Sequence, residues 1–339
     1  MTVLVAGGAG FIGSNFVRYY VQAHPLDTIV NVDKLTYAGN MDNLIGLADL
    51  PNYRFVKADI CDQSPIESIV QEFSVTSLVN FAAETHVDRS ILGPAEFIQT
   101  NVMGTQALLE VAKKFSLHRY VQVSTDEVYG SLGTTGKFTE QTHLHPNSPY
   151  AASKASADLL CLAYHHTFGL PALITRCSNN YGPYQFPEKL IPLMILHALH
   201  DKPLPIYGDG KNVRDWLHVL DHCRAIDAVL AKGKVGEVYN IGGNNEWQNI
   251  DIVKLILNRL RKPESLISFV KDRLGHDRRY AIDSTKIQRE LGWVPQYDFD
   301  RGIVETIEWY TANQQWWGRI LTGEYQSYYK MMYEGRENA

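Results

Sequence analysis

The sequence predicts an α/β fold, a doubly wound parallel sheet with a smaller C-terminal lobe, and three observations carry that prediction. Over the first half of the 339 residues, short β-branched runs alternate with helix-period segments, the rhythm of βαβ units whose parallel strands are covered on both faces. A glycine-rich turn, "VLVAGGAGFIG", joins the first run to the first helical segment. Asp33 ends the second run, twenty residues past Gly13. Together they describe a Rossmann-like arrangement, in which a helix N-terminus and a strand-end carboxylate frame one crevice.

The elements follow in order. "TVLVAG" is the first strand, and residues 11–23 form the first helix. Strands "TIVNVD" and "YRFVKAD" come next, then a helix at about 65–73, strand "SLVNFAA", a helix at about 95–114 and strand "RYVQVS". A long helix, "PYAASKASADLLCLAYHHTFG", has Ser148 as N-cap, Pro149 in its first position and Gly169 at its end. Strand "PALITRCS" closes this part, and adjacent residues on "RYVQVS" must stop alternating by Ser124 if both carboxylates that follow are to reach one ligand. From about Asn180 the pattern turns to Pro-, Gly- and aromatic-rich loops with short elements. Residues 1–179 are therefore read as a dinucleotide domain, and 180–339 mainly as a substrate lobe with segments returning to the first domain. The tail carries enough aromatics to pack on the body as far as Tyr333.

With 45% hydrophobic residues the chain can bury a large core, and a formal charge of −5 offers no general attraction to nucleic acid or an anionic membrane. No apolar run is long enough to span a bilayer, and the N-terminus begins directly as a strand. The four cysteines show neither C-x-x-C nor metal-ligand spacing, which predicts reduced thiols, no metal site and a cytoplasmic location.

The turn places Gly7, Gly10 and Gly13 where backbone must come close to a pyrophosphate held at a helix N-terminus. Asp33 can accept both adenosine-ribose hydroxyls and would repel a 2'-phosphate, which predicts NAD rather than NADP. Asp59 and Ile60 in "KADI" and Ala82 and Ala83 in "FAAET" stand where the rest of the dinucleotide would lie. "YAASK" sets Tyr150 and Lys154 four residues apart on one helix face. A nearby ammonium and a positive nicotinamide would favour the phenolate and make Tyr150 a base, although a packed Tyr beside an exposed Lys has the same spacing.

These features resemble the extended short-chain dehydrogenase/reductase family over nearly the whole chain, where the Tyr is the redox base and the Lys also binds the nicotinamide ribose. "VSTDEVYGS" adds Asp126 and Glu127. Two acidic residues there also fit a helical first turn, whose dipole they complement. Yet a base for a carbon acid alpha to a ketone and an acid for a poor leaving group are what removal of water from a sugar needs. "STDEVYG", "AAETHVDRSI", "NNYGPYQFPEKLIP", "PIYGDGKNVRDWLHV" and "DRLGHDRRYAID" resemble the dTDP-glucose 4,6-dehydratase group of that family, apart from Leu274, where Pro or Lys is usual.

That resemblance implies a lyase using tightly bound NAD on dTDP-glucose, with Thr125 at the carbon-4 oxygen, Asp126 as acid, Glu127 as base, and Tyr150 with Lys154 running the redox step. It implies a cofactor site that also includes Phe11, Ile12, Lys34, Thr100 and Cys177. It implies substrate contacts from His86, Asn179, Lys189 and Leu190, from Pro205, Ile206, Tyr207 and Asn249, and from Arg214, Asp272 and His276. Sequence alone also allows Arg214 to pair with Asp215 on the surface. A homodimer through the helices at 95–114 and at Tyr150 is expected, with no nucleic acid or membrane partner. A UDP-glucose 4,6-dehydratase, a UDP-sugar 4-epimerase and a silent NAD-binding paralogue remain the alternatives.

Overall fold

The computed structural model describes residues 1–321 and 329. The first half supplies β1 (Thr2–Ala6), β2 (Thr28–Asp33), β3 (Tyr53–Lys57), β4 (Ser77–Asn80), β5 (Arg119–Thr125) and β6 (Ala172–Cys177). The second half supplies β7 (Asn179–Tyr181), β8 (Leu204–Tyr207), β9 (Val213–His218), β10 (Val238–Ile241), β11 (Glu246–Gln248) and β12 (Ile267–Val270). The main sheet runs β10-β6-β5-β4-β1-β2-β3, every neighbouring pair parallel.

Alternate residues of these strands feed opposite cores, as a period of two requires. Val3, Val5, Val79 and Val121 pack with helices Phe11–Ala23 and Val219–Lys232. Leu4, Val30, Leu78 and Tyr120 pack on the other face with helices Gln63–Glu72, Thr105–Lys114 and Pro149–Phe168. Burial on both faces is why the runs read as continuously apolar. A third core, around Tyr181, Ile195, Trp216, Phe299 and Tyr310, belongs to the lobe, whose small sheets are β11-β9-β7 and β12-β8. The chain returns from there to add β10 against β6, Val238 facing Ile174 and Ile241 facing Cys177.

The chain builds outward from β1 through β3, then crosses back to β4 and builds the other way. Loops leaving β1 and β4 therefore diverge and open a crevice at their C-terminal ends.

One expected helix differs. Residues 94–114 form an α-helical turn at Pro94–Phe97, a π-helical stretch at Ile98–Gly104 and an α-helix at Thr105–Lys114. A π stretch widens the helix where side chains are pinned. Here the Asn101 side chain binds the backbone of Glu84 at 2.8 and 3.0 Å and Ser153 Oγ at 2.8 Å. At Gly104 a Cβ would stand 2.6 Å from Ile60 Cδ1, so this segment lies hard against the crevice floor. Trp316 and Trp317 are buried in the lobe core, whereas the expected packing of the tail to Tyr333 falls outside the described residues.

Candidate active site

The crevice widens into a cavity of about 580 Å³. Gly7 has φ +81°, and a Cβ there would stand 2.5 Å from the Ala82 nitrogen; one at Gly13 would stand 2.2 Å from the Gly7 carbonyl oxygen. The fold itself demands these two glycines. Gly10 differs, because a Cβ there meets only the Gly7 oxygen at 3.5 Å, an ordinary contact. Its bare face lines the cavity at the N-terminus of helix Phe11–Ala23, which has no side-chain cap. The absent side chain is therefore explained by something that must approach from the cavity, and an anion such as a diphosphate suits a helix N-terminus.

Asp33 stands at the end of β2 with Oδ2 accepting from Ala9 N at 2.9 Å and Oδ1 from Leu35 N at 2.8 Å. Burial raises its pKa while these two amides oppose the shift. Lys34 pairs with Asp59 at 2.7 Å on the same rim. Phe11, Ile12, Ile60, Ala82, Ala83, Thr100 and Cys177 also line the cavity, so every expected cofactor residue meets one space. The groups a dinucleotide needs therefore meet in one space: a fixed carboxylate, a bare helix N-terminus, and Tyr150 with Lys154.

Helix Pro149–Phe168 starts where its caps require: Ser148 Oγ accepts from Ala151 N at 3.1 Å, and Gly169 ends it at φ +68°. Lys154 Nζ donates to the Val123 carbonyl at 2.7 Å. Strand β5 continues through Thr125, one residue past Ser124, because Thr125 is still paired with Cys177 of β6. A 3-10 turn, Asp126–Tyr129, follows, and the Thr125 hydroxyl caps it by accepting from Glu127 N at 3.2 Å.

Successive side chains of such a turn point about 120° apart. Thr125, Glu127, Tyr150 and Lys154 accordingly share the cavity wall, whereas Asp126 is buried off that wall, with Thr125 Oγ1 donating to its Oδ1 at 3.3 Å and its Oδ2 unpartnered.

The electrostatics separate the two carboxyls. Burial, then the charges of Glu127 and Asp215, hold Asp126 well above the usual carboxylate range. Burial also raises Glu127, but Arg273, Arg214 and Lys189 pull it back. Of the two, Asp126 is held further from ionisation, and Glu127 is the one that three cations pull back towards the anion.

Tyr150 runs against the sequence argument. Burial and the Glu127 charge push its phenol well above 10, and burial also lowers Lys154. Within the protein alone Tyr150 is a phenol.

Asn179 and Lys189 lie on the wall; Lys189 Nζ donates to the Thr85 carbonyl at 3.0 Å, and Asn179 Oδ1 is buried and unpartnered. Leu190 opens the helix that follows. The remaining expected substrate residues do not line this cavity. His86 is buried, its Nδ1 3.9 Å from Asp88 Oδ2, and burial with Lys189, Arg273 and Arg89 nearby keeps it neutral. Arg214 donates to the Val213 and Asp277 carbonyls at 2.8 and 2.9 Å and lies 4.2 Å over the Tyr280 ring. Asp215 is engaged elsewhere, accepting from Asn245 N at 2.7 Å, so the Arg214–Asp215 surface pair does not form. Pro205 and Ile206 lead along β8 to Tyr207, whose ring faces His276 at 6.1 Å, and His276 Nδ1 meets Asp272 Oδ1 at 2.6 Å. Asn249 Oδ1 is buried and unpartnered.

Sequence reasoning missed Tyr37, Arg89, Phe186 and Glu188 on the wall. Tyr37 OH donates to Glu188 Oε1 at 3.1 Å, the Arg89 guanidinium covers the Tyr37 ring at 3.8 Å, and Phe186 meets that ring edge-on at 5.5 Å. The turn-rich "KLTYAGN" directly after Asp33 is the one local signal for Tyr37. Among the described residues no cluster could hold a metal ion.

Fold and site define a dinucleotide-binding enzyme of the extended short-chain dehydrogenase/reductase type. The family described as GDP-mannose 4,6 dehydratase matches residues 4–306. The chain is 56% identical to a dTDP-glucose 4,6-dehydratase of Xanthomonas campestris pv. campestris, over 96% of this chain and 97% of that one. It is 51% identical to that of Salmonella typhimurium, over 99% and 100%. A Streptomyces venezuelae dTDP-glucose 4,6-dehydratase solved with NAD and TYD bound matches with a TM-score of 0.92 at 51% identity, covering 94% of this chain and 100% of that one. The chain belongs to the dTDP-glucose 4,6-dehydratase family.

Proposed function

We propose that this chain is an NAD-dependent hydro-lyase converting dTDP-glucose to dTDP-4-keto-6-deoxyglucose and water, a step of deoxysugar synthesis. The observation that carries it is the 3-10 turn that sets two buried carboxyls, Asp126 and Glu127, beside Tyr150 and Lys154, with Asp126 held further from ionisation than Glu127. An epimerase needs the second pair; elimination of water needs both.

NAD, when bound in this crevice, would supply the hydride acceptor for carbon 4 and the hydride donor for carbon 6. Tyr150 removes the carbon-4 hydroxyl proton, the Lys154 ammonium favouring the phenolate as it forms, and Thr125 hydrogen-bonds the oxygen. With carbon 4 a ketone, Glu127 removes the carbon-5 proton. Asp126, the acid in this reading, must turn from its place off the cavity wall to give its proton to the carbon-6 hydroxyl, which leaves as water. In the return step one proton comes back to carbon 5, so the sum is loss of one water.

Asp33 favours NAD over NADP, its carboxylate already anchored toward the ribose. We assign the diphosphate to Arg214, Lys189 and Asn179, the glucose to His86 and Leu190, and the base to Pro205, Ile206, Tyr207 and Asn249. Asp272 to His276 closes the nucleotide end. Residues 1–179 then form the cofactor domain and 180–339 mainly the substrate lobe. Ile98, Met103, Leu159 and Phe168, each large, apolar and exposed, lie on the helices at 94–114 and 149–168, which supports a four-helix contact in a homodimer. Free thiols at all four cysteines fit the cytoplasm.

Incubation with dTDP-glucose and UDP-glucose, followed by mass, tests the reading. Loss of water from dTDP-glucose is expected. Preferential dehydration of UDP-glucose would move the substrate to uridine, unchanged mass with galactose formed would mean epimerisation, and no reaction would leave a silent paralogue.

A further inference from the structure

Asp158 and Arg176 form an ion pair at the centre of the fold, with only 0% and 3% of their surfaces exposed. Arg176 Nε donates to Asp158 Oδ2 at 2.8 Å, and one terminal nitrogen donates to Tyr129 OH at 3.0 Å. Tyr129 OH in turn donates to Asn240 Oδ1 on β10 at 2.7 Å, and its ring stacks on Phe138 at 5.0 Å.

The ends of this chain of contacts are informative. Asp158 lies one turn past Lys154 and two past Tyr150, on the same helix face. Tyr129 is the last residue of the turn that carries Asp126 and Glu127. Gly130, at φ +85°, then turns the chain away, and a Cβ there would strike the His145 carbonyl at 2.4 Å. One guanidinium on β6 therefore grips the helix of the redox pair with one edge and the turn of the dehydration pair with another. Apolar packing would hold the helix to the sheet at least as stably as a buried ion pair. What a guanidinium adds is direction, through donors fixed in a planar fork.

We propose that Arg176, acting through Asp158 and Tyr129, is a positioning residue that keeps Tyr150 and Lys154 in register with Asp126 and Glu127, so that one bound sugar meets both sets. The proposal rests on the roles assigned to those four residues above. Asp158 has a second effect, because its carboxylate supports the Lys154 ammonium against burial. The other titratable groups acting on Lys154 are Cys161 on its own helix and Cys177 on β6, both thiols pushed up by burial, while β5 contributes the Val123 carbonyl.

Two isosteric variants separate the arms. Y129F deletes the link to the turn and leaves Arg176 on Asp158. D158N keeps an acceptor for Arg176 Nε and removes the charge beside Lys154. Each is purified with bound NAD, checked by circular dichroism and melting, and followed through a single turnover of dTDP-glucose. NADH absorbance reads oxidation, and solvent deuterium at carbon 5 reads the Glu127 step.

In Y129F, NADH should form near the wild-type rate while carbon-5 exchange slows on the order of ten- to a hundredfold, so that NADH persists. In D158N, NADH formation should slow, with the alkaline limb of its pH profile moved to lower pH, because a lysine without its counter-charge loses its proton sooner. Equal slowing of both steps in both variants, or of neither, would overturn the proposal and leave the network as packing. If Y129F does not fold, the alkaline limb of D158N decides alone: an unmoved limb refutes the role. A wild type that does not dehydrate dTDP-glucose would instead refute the functional reading, before either variant is judged.

Discussion

Replacing Gly10 by Ala should separate binding of the cofactor from stability of the fold. Its φ of −76° and ψ of 179° suit any residue, and the added Cβ meets only the Gly7 oxygen at 3.5 Å. Alanine is a poorer N-cap than glycine by at most about 1 kcal/mol. It offsets that by about 0.4–1 kcal/mol through a less flexible unfolded chain. The melting temperature of the cofactor-free variant should therefore stay within about 2 °C of wild type.

The same methyl would stand on the cavity wall, where a diphosphate bound at the helix N-terminus would have to approach. An overpacked contact costs about 1–3 kcal/mol, which weakens binding about 5- to 150-fold. Cofactor released on denaturation and counted by absorbance, with calorimetric titration of NAD into stripped protein, gives the answer. G7A is the contrast: at φ +81° with a Cβ 2.5 Å from Ala82 N, it should lower stability as well. A G10A protein that kept wild-type NAD content and affinity would refute the account of the cavity's bare helix end.

E127Q should form NADH in a single turnover yet lose carbon-5 deuterium exchange and slow product formation on the order of 10²- to 10⁴-fold; exchange at the wild-type rate would remove Glu127 from the role of base. Y150F should form no NADH, and normal NADH formation would contradict a redox base there. The pH profile of kcat should be a bell. Glu127 must be ionised and its pKa is raised above 4.5, so activity falls as pH drops through that raised value; Asp126 must stay protonated, so activity falls again as pH rises through its higher one. Both apparent values belong to the coupled pair, and E127Q should abolish the acid limb. Leu159→Asp, on the exposed face of helix Pro149–Phe168, should sediment as a monomer; an unchanged dimer would place the interface elsewhere.

Local chemistry was legible in the sequence wherever it is closed within a few residues. Both ends of helix Pro149–Phe168 followed from Ser148, Pro149 and Gly169, since capping uses neighbours in the chain. The end of β5 was misjudged by one residue because a strand stops where its partner stops, and Thr125 is held by Cys177, 52 positions on in numbering (177 − 125). The π-helical stretch was hidden for the same reason: Asn101 is pinned by Glu84 and Ser153, neither on its own element. Tyr37 and Glu188 meet across 151 residues, a separation on which no local pattern reports.

The sequence by itself determined the doubly wound fold, the glycine turn with Asp33, and the presence of a redox pair and a carboxylate pair, because periodicity, the steric demand of a tight turn and an i, i+4 spacing are properties of adjacent residues. Only the tertiary structure decided which carboxyl faces the cavity and which is held further from ionisation, that Tyr150 is a phenol within the protein alone, and that Arg176 joins the two pairs. Those depend on burial and on charges delivered by Arg214, Lys189 and Arg273 from the far half of the chain, and distance through space is what folding adds to order along it.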